Sequence, residues 1–247
     1  GVGTDHLGIY GQTVAYYGTV EQQGRLTLHL HLLLWILCNL TYQEIRDRLQ
    51  DKDGVFQKKL VEYLESVHLG EFQTGTQEEV VERVSEEEKL KTANSKDPYF
   101  NPIETLPLPP PERCSMNCGL CDLCQSYNTW QTCYVTTTDD IVSKSNIHKC
   151  GCMDNKWGKC RARFPRTIVD KSHVDDESGG LILKKKEEWI NTYTPVLSYL
   201  FRCNTDVTSL KSGTATNGIV RYATDYVTKS SLKTRVIFET IRAMFEK

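Results

Sequence analysis

Apolar and polar positions alternate most regularly near the start of the chain. Two runs of strand character, Ala15–Val20 and Leu26–Ile36, flank the polar turn Glu21–Arg25, where Gly24 can take a positive φ. Together they predict an antiparallel hairpin, with residues 1–14 as a lead-in or edge strand. In the second run His29 and His31 stand two apart, so a pleated strand sends both imidazoles to one face. Leu30, Leu32 and Leu34 then fall on the other face, which reads as core.

The period changes after the hairpin. TYQEIRDRLQ predicts a helix with Thr41 as its cap and Glu44 three residues on. Gly54–Val67 predicts a second, with Val55, Leu60, Val61 and Leu64 near one face and Phe56 at its edge. Gly70–Lys96 carries the acidic run EEVVERVSEEEK and reads as a solvated helix or mobile insertion. DPYFNPIETLPLPPPE is punctuated by proline and reads as an extended spacer. Later, residues 167–186 predict a loop and a short strand LILKK, Pro195 a helix start or turn, and Leu200–Val207 a strand. The segment TNGIVRYATDYVTKSSLKTRVIFETIRAMF is helical in period. Its Tyr222 and Tyr226, four apart, share a face with Lys229.

With 247 residues the chain can bury a substantial core as one domain with an insertion, or as two. A formal net charge of −2 gives no global field for nucleic acid, so any such surface must be local. No apolar stretch reaches the roughly 20 residues of a membrane span; Leu26–Leu37 is shorter and holds both histidines. The chain opens on Gly1-Val2-Gly3 with no secretory leader and no initiator methionine, which fits a fragment or a processed product.

Of the ten cysteines, nine follow residue 113, and most of those, with His148, fall between 114 and 160. That clustering favours metal in a reducing compartment over disulfides. Cys114, Cys118, Cys121 and Cys124 are spaced so that tight turns supply ligands to one tetrahedral zinc, and Cys133, His148, Cys150, Cys152 and Cys160 are five further candidates. Nine candidates suffice for one or two structural Zn²⁺, with the pairing open; an iron–sulfur cluster is the chemical rival. Directly after them Lys156, Lys159, Arg161, Arg163 and Arg166 interleave with Trp157 and Phe164, a mixture that suits phosphates and stacked bases. The bland alternative is a solvated rim whose aromatics cap the zinc module.

Taken together, YYGTVEQQGRLTLHLHLLLWI, the HKCGC and KCRARFPR blocks, WINTYTPVLSYLFRCNTDVTSL and YATDYVTKSSLKT resemble the replication-initiator nuclease domain, of the HUH class, of Helitron rolling-circle transposases. The matching pieces span most of residues 10–235 in the family's order. The resemblance implies an α+β fold: a central antiparallel sheet carrying the H-x-H strand, a tyrosine-bearing helix packed across it, and an inserted zinc-binding module. The implied organisation is nuclease over 1–70, an acidic and proline-rich linker over 71–111, the Cys/His module over 112–166, and the rest of the nuclease with its tyrosine helix over 167–247.

The same resemblance implies Mg²⁺ or Mn²⁺ at His29 and His31, with Glu21 or Gln23 as a third ligand and Glu21 preferred for its charge. Tyr222 and Tyr226 would cut and join single-stranded DNA at transposon ends, with Lys229 lowering a phenol pKa or neutralising phosphate. Asp206-Val207-Thr208 departs from the Asn-Val-Glu that many relatives carry, which leaves a role for Asp206 open. No G-x-x-x-x-G-K-[ST] loop occurs, so a helicase motor is expected elsewhere in a full-length protein. A nuclear location and no membrane partner follow from the same reading. Two rivals are a zinc-stabilised DNA-binding module without catalysis and a metal-dependent hydrolase that uses activated water.

Overall fold

The computed structural model describes residues 8–22, 28–37, 40–50, 54–92, 99–148, 150–156, 158–160, 162–175 and 179–209, with the single positions Thr224 and Arg242. The described chain is α+β, with two small antiparallel sheets and cysteine clusters suited to metal. It divides into two compact units: Gly1–Ile45 with Leu210–Lys247, and Arg46–Ser209. Residues 46–209 thus form one continuous stretch of chain within a single unit.

In the first unit β1 (Thr13–Gln22) pairs antiparallel with β2 (Leu28–Ile36). Glu21 and Gln22 continue β1 and are not turn residues; the turn itself, with Gln23 and Gly24, lies outside the described residues. Burial alternates along β2 as the strand period requires, with His29, His31 and Leu33 partly covered. The expected core face is a correction. Leu30 and Leu32 are 54% and 49% exposed, and Leu28 and Leu34 are exposed beside them. Parity puts these leucines on one face, but among the described residues β2 has a single sheet neighbour and that face stays exposed.

Helix α1 (Tyr42–Gln50) starts on the expected cap: the Thr41 N–H donates to Glu44 Oε2 at 2.6 Å, and the Glu44 N–H donates back to Thr41 Oγ1 at 3.2 Å. Helix α2 (Gly54–Val67) has the expected bounds and buries Leu64 and Val67, but Val55 is 68% exposed because it sits on the outward side of the first turn.

The acidic stretch is a firmer structure than its charge suggests. Helix α3 (Gln77–Thr92) opens on a second reciprocal cap between Thr76 and Glu79, and Val80 and Val84 are buried. They join Phe72, Val142, Ile190 and Tyr193 in the core of the second unit, so 71–92 is not a mobile insertion. Helix α4 (Asp122–Ser145) supplies the core's spine. Its fully buried Asp139 accepts the Gln73 and Thr74 N–H groups at 2.9 and 2.7 Å and the Thr74 hydroxyl at 2.7 Å. A carboxylate so satisfied can be buried without the usual penalty, and it locks the turn ahead of α3. Arg83 to Asp140 (2.6 Å) and Lys144 to Glu88 (2.9 Å) tie α3 to α4 from outside.

The proline-rich stretch is irregular apart from one 3₁₀ turn, Pro102–Glu104, as expected. It is held down: Trp130 Nε1 and the Tyr199 hydroxyl both donate to the Leu108 carbonyl, at 3.1 and 2.9 Å. Strands β3 (His173–Val174) and β4 (Leu181–Ile182) form the small second sheet. Helix α5 (Pro195–Phe201) starts at the expected proline but takes Leu200 and Phe201 into its last turn, which overturns the strand expected over Leu200–Val207. Arg202 ends it at φ 54°, its guanidinium donating to the Pro102 carbonyl at 3.2 Å. No helix of the described residues is long and apolar enough to cross a membrane.

Candidate metal centres and the histidine strand

The first cysteine group assembles from one short stretch. The sulfurs of Cys114, Cys118, Cys121 and Cys124 all lie within 4.8 Å of one another. Asn117 and Gly119 take positive φ (46° and 77°), which folds the chain back so that turn and helix present sulfurs to one point. Cys121 caps α4 and Cys124 sits in its first turn. Four thiolates about 2.3 Å from one tetrahedral ion stand about 3.8 Å apart. The Cys114–Cys118 and Cys118–Cys124 separations are both 3.9 Å, so the donor set and its spacing fit zinc. Backbone N–H groups of Leu120 and Cys121 bring the Cys118 thiol down to about 6. At Cys124 the Gly119 N–H pulls the other way, yet burial and the three neighbouring sulfurs push the thiol up to about 11. A cation would remove that repulsion.

The second group is His148, Cys152 and Cys160, again with donor atoms within 4.8 Å of one another. His148 Nε2 is 3.2 Å from the Cys160 sulfur. Burial opposes ionisation of the Cys160 thiol, but N–H groups of Phe164, Ala162 and Arg163 and the Cys152 thiol lower its pKa. The site is set into the wall of the unit: His148 N–H donates to the Trp189 carbonyl at 2.7 Å, and Ile147 bridges Ile190. Phe164 is 5% exposed and stacks on His148, centroids 4.2 Å apart and 10° from parallel. Phe164 is thus a packing residue of the centre and not a free platform for a base. The signal for it was its position four residues past Cys160.

Among the described residues these are the two groupings that could each hold an ion. Cys133 joins neither; it is exposed on α4, nine residues beyond Cys124. Cys150 lies in the 3₁₀ turn Cys150–Met153, and its side chain is outside those described. None of the eight described cysteines, Cys203 among them, is in a disulfide.

Of the basic run, Lys156, Lys159 and Arg163 are exposed and Arg166 is half-buried, while Trp157 and Arg161 lie outside the described residues. Asp206 is exposed in the irregular segment after α5, where its charge acts on Lys185, so it does not end a strand.

On the hairpin the rings of His29 and His31 are 4.6 Å apart, tilted by 55°. The register sets Glu21 opposite His29 and Thr19 opposite His31. Two imidazole donors on one strand face can share one cation. Gln23, Tyr222, Tyr226 and Lys229 lie outside the described residues, although 210–247 belongs to the same compact unit as the hairpin. Comparison with protein-family models, with curated proteins and with solved structures finds no match to this chain.

Proposed function

We propose that the chain is a metal-dependent single-stranded DNA nicking and joining enzyme of the HUH class, the nuclease part of a Helitron-type transposase. The observation that carries this reading is the hairpin: His29 and His31 stand side by side on one face with Glu21 in register opposite His29. The sequence adds Tyr222 and Tyr226 in a segment of the same unit. Glu21 is preferred to Gln23 as third ligand because it occupies that register position. Bound there, Mg²⁺ or Mn²⁺ would polarise the scissile phosphodiester.

One tyrosine oxygen then forms a bond to phosphorus as the bond to the 3′ oxygen breaks. The phenolic proton leaves to solvent or base and the 3′ oxygen takes one up, giving a 5′ phosphotyrosine and a free 3′ hydroxyl. Lys229 lowers the phenol pKa, and the second tyrosine holds or transfers the other strand end. Zinc at the two cysteine groups has no part in this chemistry. It shapes the module that carries Lys156, Lys159, Arg163 and Arg166, with Trp157 and Arg161 in the same run; Cys150 is the proposed fourth ligand of the second centre.

A denaturing-gel assay with labelled single-stranded DNA and Mn²⁺ tests the reading. The wild-type protein should leave a covalent protein–DNA band. That band should vanish in His29→Ala/His31→Ala and in Tyr222→Phe/Tyr226→Phe, with zinc content unchanged. Cleavage at the wild-type rate by the double phenylalanine protein would eliminate the tyrosine mechanism and favour activated water. DNA binding with no cleavage by the wild-type protein would leave the zinc-stabilised binding module, which the exposed cations beside the second centre favour.

A further inference from the structure

We propose that Arg166 is a phosphate contact for single-stranded nucleic acid, and that metal at the second centre holds it in place through the ring of Phe164. The inference rests on the DNA-binding part of the reading above. The Arg166 guanidinium carbon lies 4.5 Å from the Phe164 ring centroid. Phe164 in turn lies flat on His148, and the Trp189 ring runs parallel to it at 6.4 Å and 8°. The Arg166 N–H donates to the Glu188 carbonyl at 2.8 Å, which fixes the main chain where the side chain leaves it. None of the ion pairs between described residues includes Arg166.

A guanidinium stacked on an aromatic face keeps its N–H donors in its own plane, unspent on the ring, where a phosphate can accept from them. The orientation of that face depends on His148. With Nε2 bound to an ion shared with Cys160, the imidazole plane is set. Without the ion it can turn, and the stack above it loses its floor. The first centre has no comparable link. Its stretch 114–124 carries Asp122 as its sole charged residue, and Arg113 beside it stacks at 4.4 Å on Tyr127 and donates to that hydroxyl. A metal-dependent phosphate contact therefore belongs to the second centre and not the first.

The experiment measures binding of a fluorescein-labelled oligothymidylate against salt, with zinc content and near-ultraviolet circular dichroism read on each protein. Arg166→Gln should reduce the slope of log affinity on log salt by about 0.7, the loss of one single-strand phosphate contact. Phe164→Leu should reduce it by the same amount with zinc retained, and Cys152→Ser should do so with zinc lost from one site. Phe164→Tyr, which keeps the flat ring and guards against a fold defect in the leucine variant, should keep the wild-type slope. Cys118→Ser should also keep it while losing the other zinc. A wild-type slope in Phe164→Leu and Cys152→Ser beside a reduced one in Arg166→Gln would overturn the coupling. A wild-type slope in Arg166→Gln would remove the contact itself. Absence of any binding by the wild-type protein would instead sink the DNA-binding reading on which both stand.

Discussion

The two candidate metal centres offer similar donor chemistry in opposite settings. The first draws its four donors from eleven consecutive positions, 114–124, and stands at the surface with Cys118 exposed. Around it Met116 and Leu120 are exposed too, so the turn has little apolar packing to hold it. The second draws on donors twelve residues apart, His148 and Cys160, and is roofed by buried Phe164 and tied to the Ile190 wall. An ion at the first centre stabilises a turn; an ion at the second stabilises the junction of the α4 C-terminus with the segment before α5. The same donor type therefore implies local order in one place and integrity of the unit in the other.

The largest expected effect breaks or confirms that contrast directly. Cys160→Ser should lower the melting temperature of the holoprotein by on the order of 10 °C, the equivalent of about 3 kcal/mol or more. Cys118→Ser should lose one zinc and shift the melt by only a few degrees. Equal shifts, read by thermal denaturation and elemental analysis together, would show that the first centre is as deeply coupled as the second.

Phe164→Ala should come next, at about 3 kcal/mol or somewhat more for a buried aromatic, with the first-centre zinc still bound. A smaller loss, below about 1 kcal/mol in urea denaturation, would mean that the second centre is held by its ion and not by its packing.

Accessibility gives a finer test. After chelation, iodoacetamide should label Cys118 well before Cys124 and Cys160, since Cys118 is exposed and the other two are buried. Cys133, exposed and outside both groups, should label at the same rate with metal or without it. Protection of Cys133 by zinc, seen by mass spectrometry, would make it a ligand after all.

The smallest effect concerns acid and separates metal from polypeptide. His68 is buried and its Nδ1–H donates to the Leu64 carbonyl at 3.0 Å; burial lowers its pKa below the ordinary 6.5 despite that bond. Above about pH 6.5 the ring is neutral in folded and unfolded chains alike. As the pH falls below that value the unfolded chain takes a proton that the folded one resists, so stability is lost toward the lowered folded pKa. Metal-free protein should show this loss between pH 7 and 5, and His68→Gln should flatten it. An unchanged pH profile in His68→Gln would assign the acid sensitivity elsewhere.

Several features were legible in the sequence because their causes lie within a few residues. The cap at Thr41 needs a hydroxyl and a carboxylate three positions apart. The shared face of His29 and His31 needs the strand period alone, and the first cysteine group needs turns of two or three residues. Helix α4 was not legible: Thr136, Thr137 and Thr138 are β-branched, and the cysteines before them suggest a metal loop. The acidic stretch does form a mostly exposed helix over Gln77–Thr92, but its anchorage in the core was hidden for a related reason. Charge dominates its composition, whereas its place in the core depends on Phe72, Val80 and Val84.

What the sequence by itself determined is therefore short in range: strand parity, helix caps, the helix start at Pro195 and the donor chemistry of 114–124. Tertiary structure alone decided which chemically similar residues were used. It left the leucine face of β2 exposed and buried Asp139, whose partners Gln73 and Thr74 lie 66 and 65 residues away. It also selected His148, Cys152 and Cys160 while leaving Cys133 outside. The physical reason is that burial and ligation are properties of several segments meeting. The free energy that fixes them comes from contacts formed only after the intervening loops have closed.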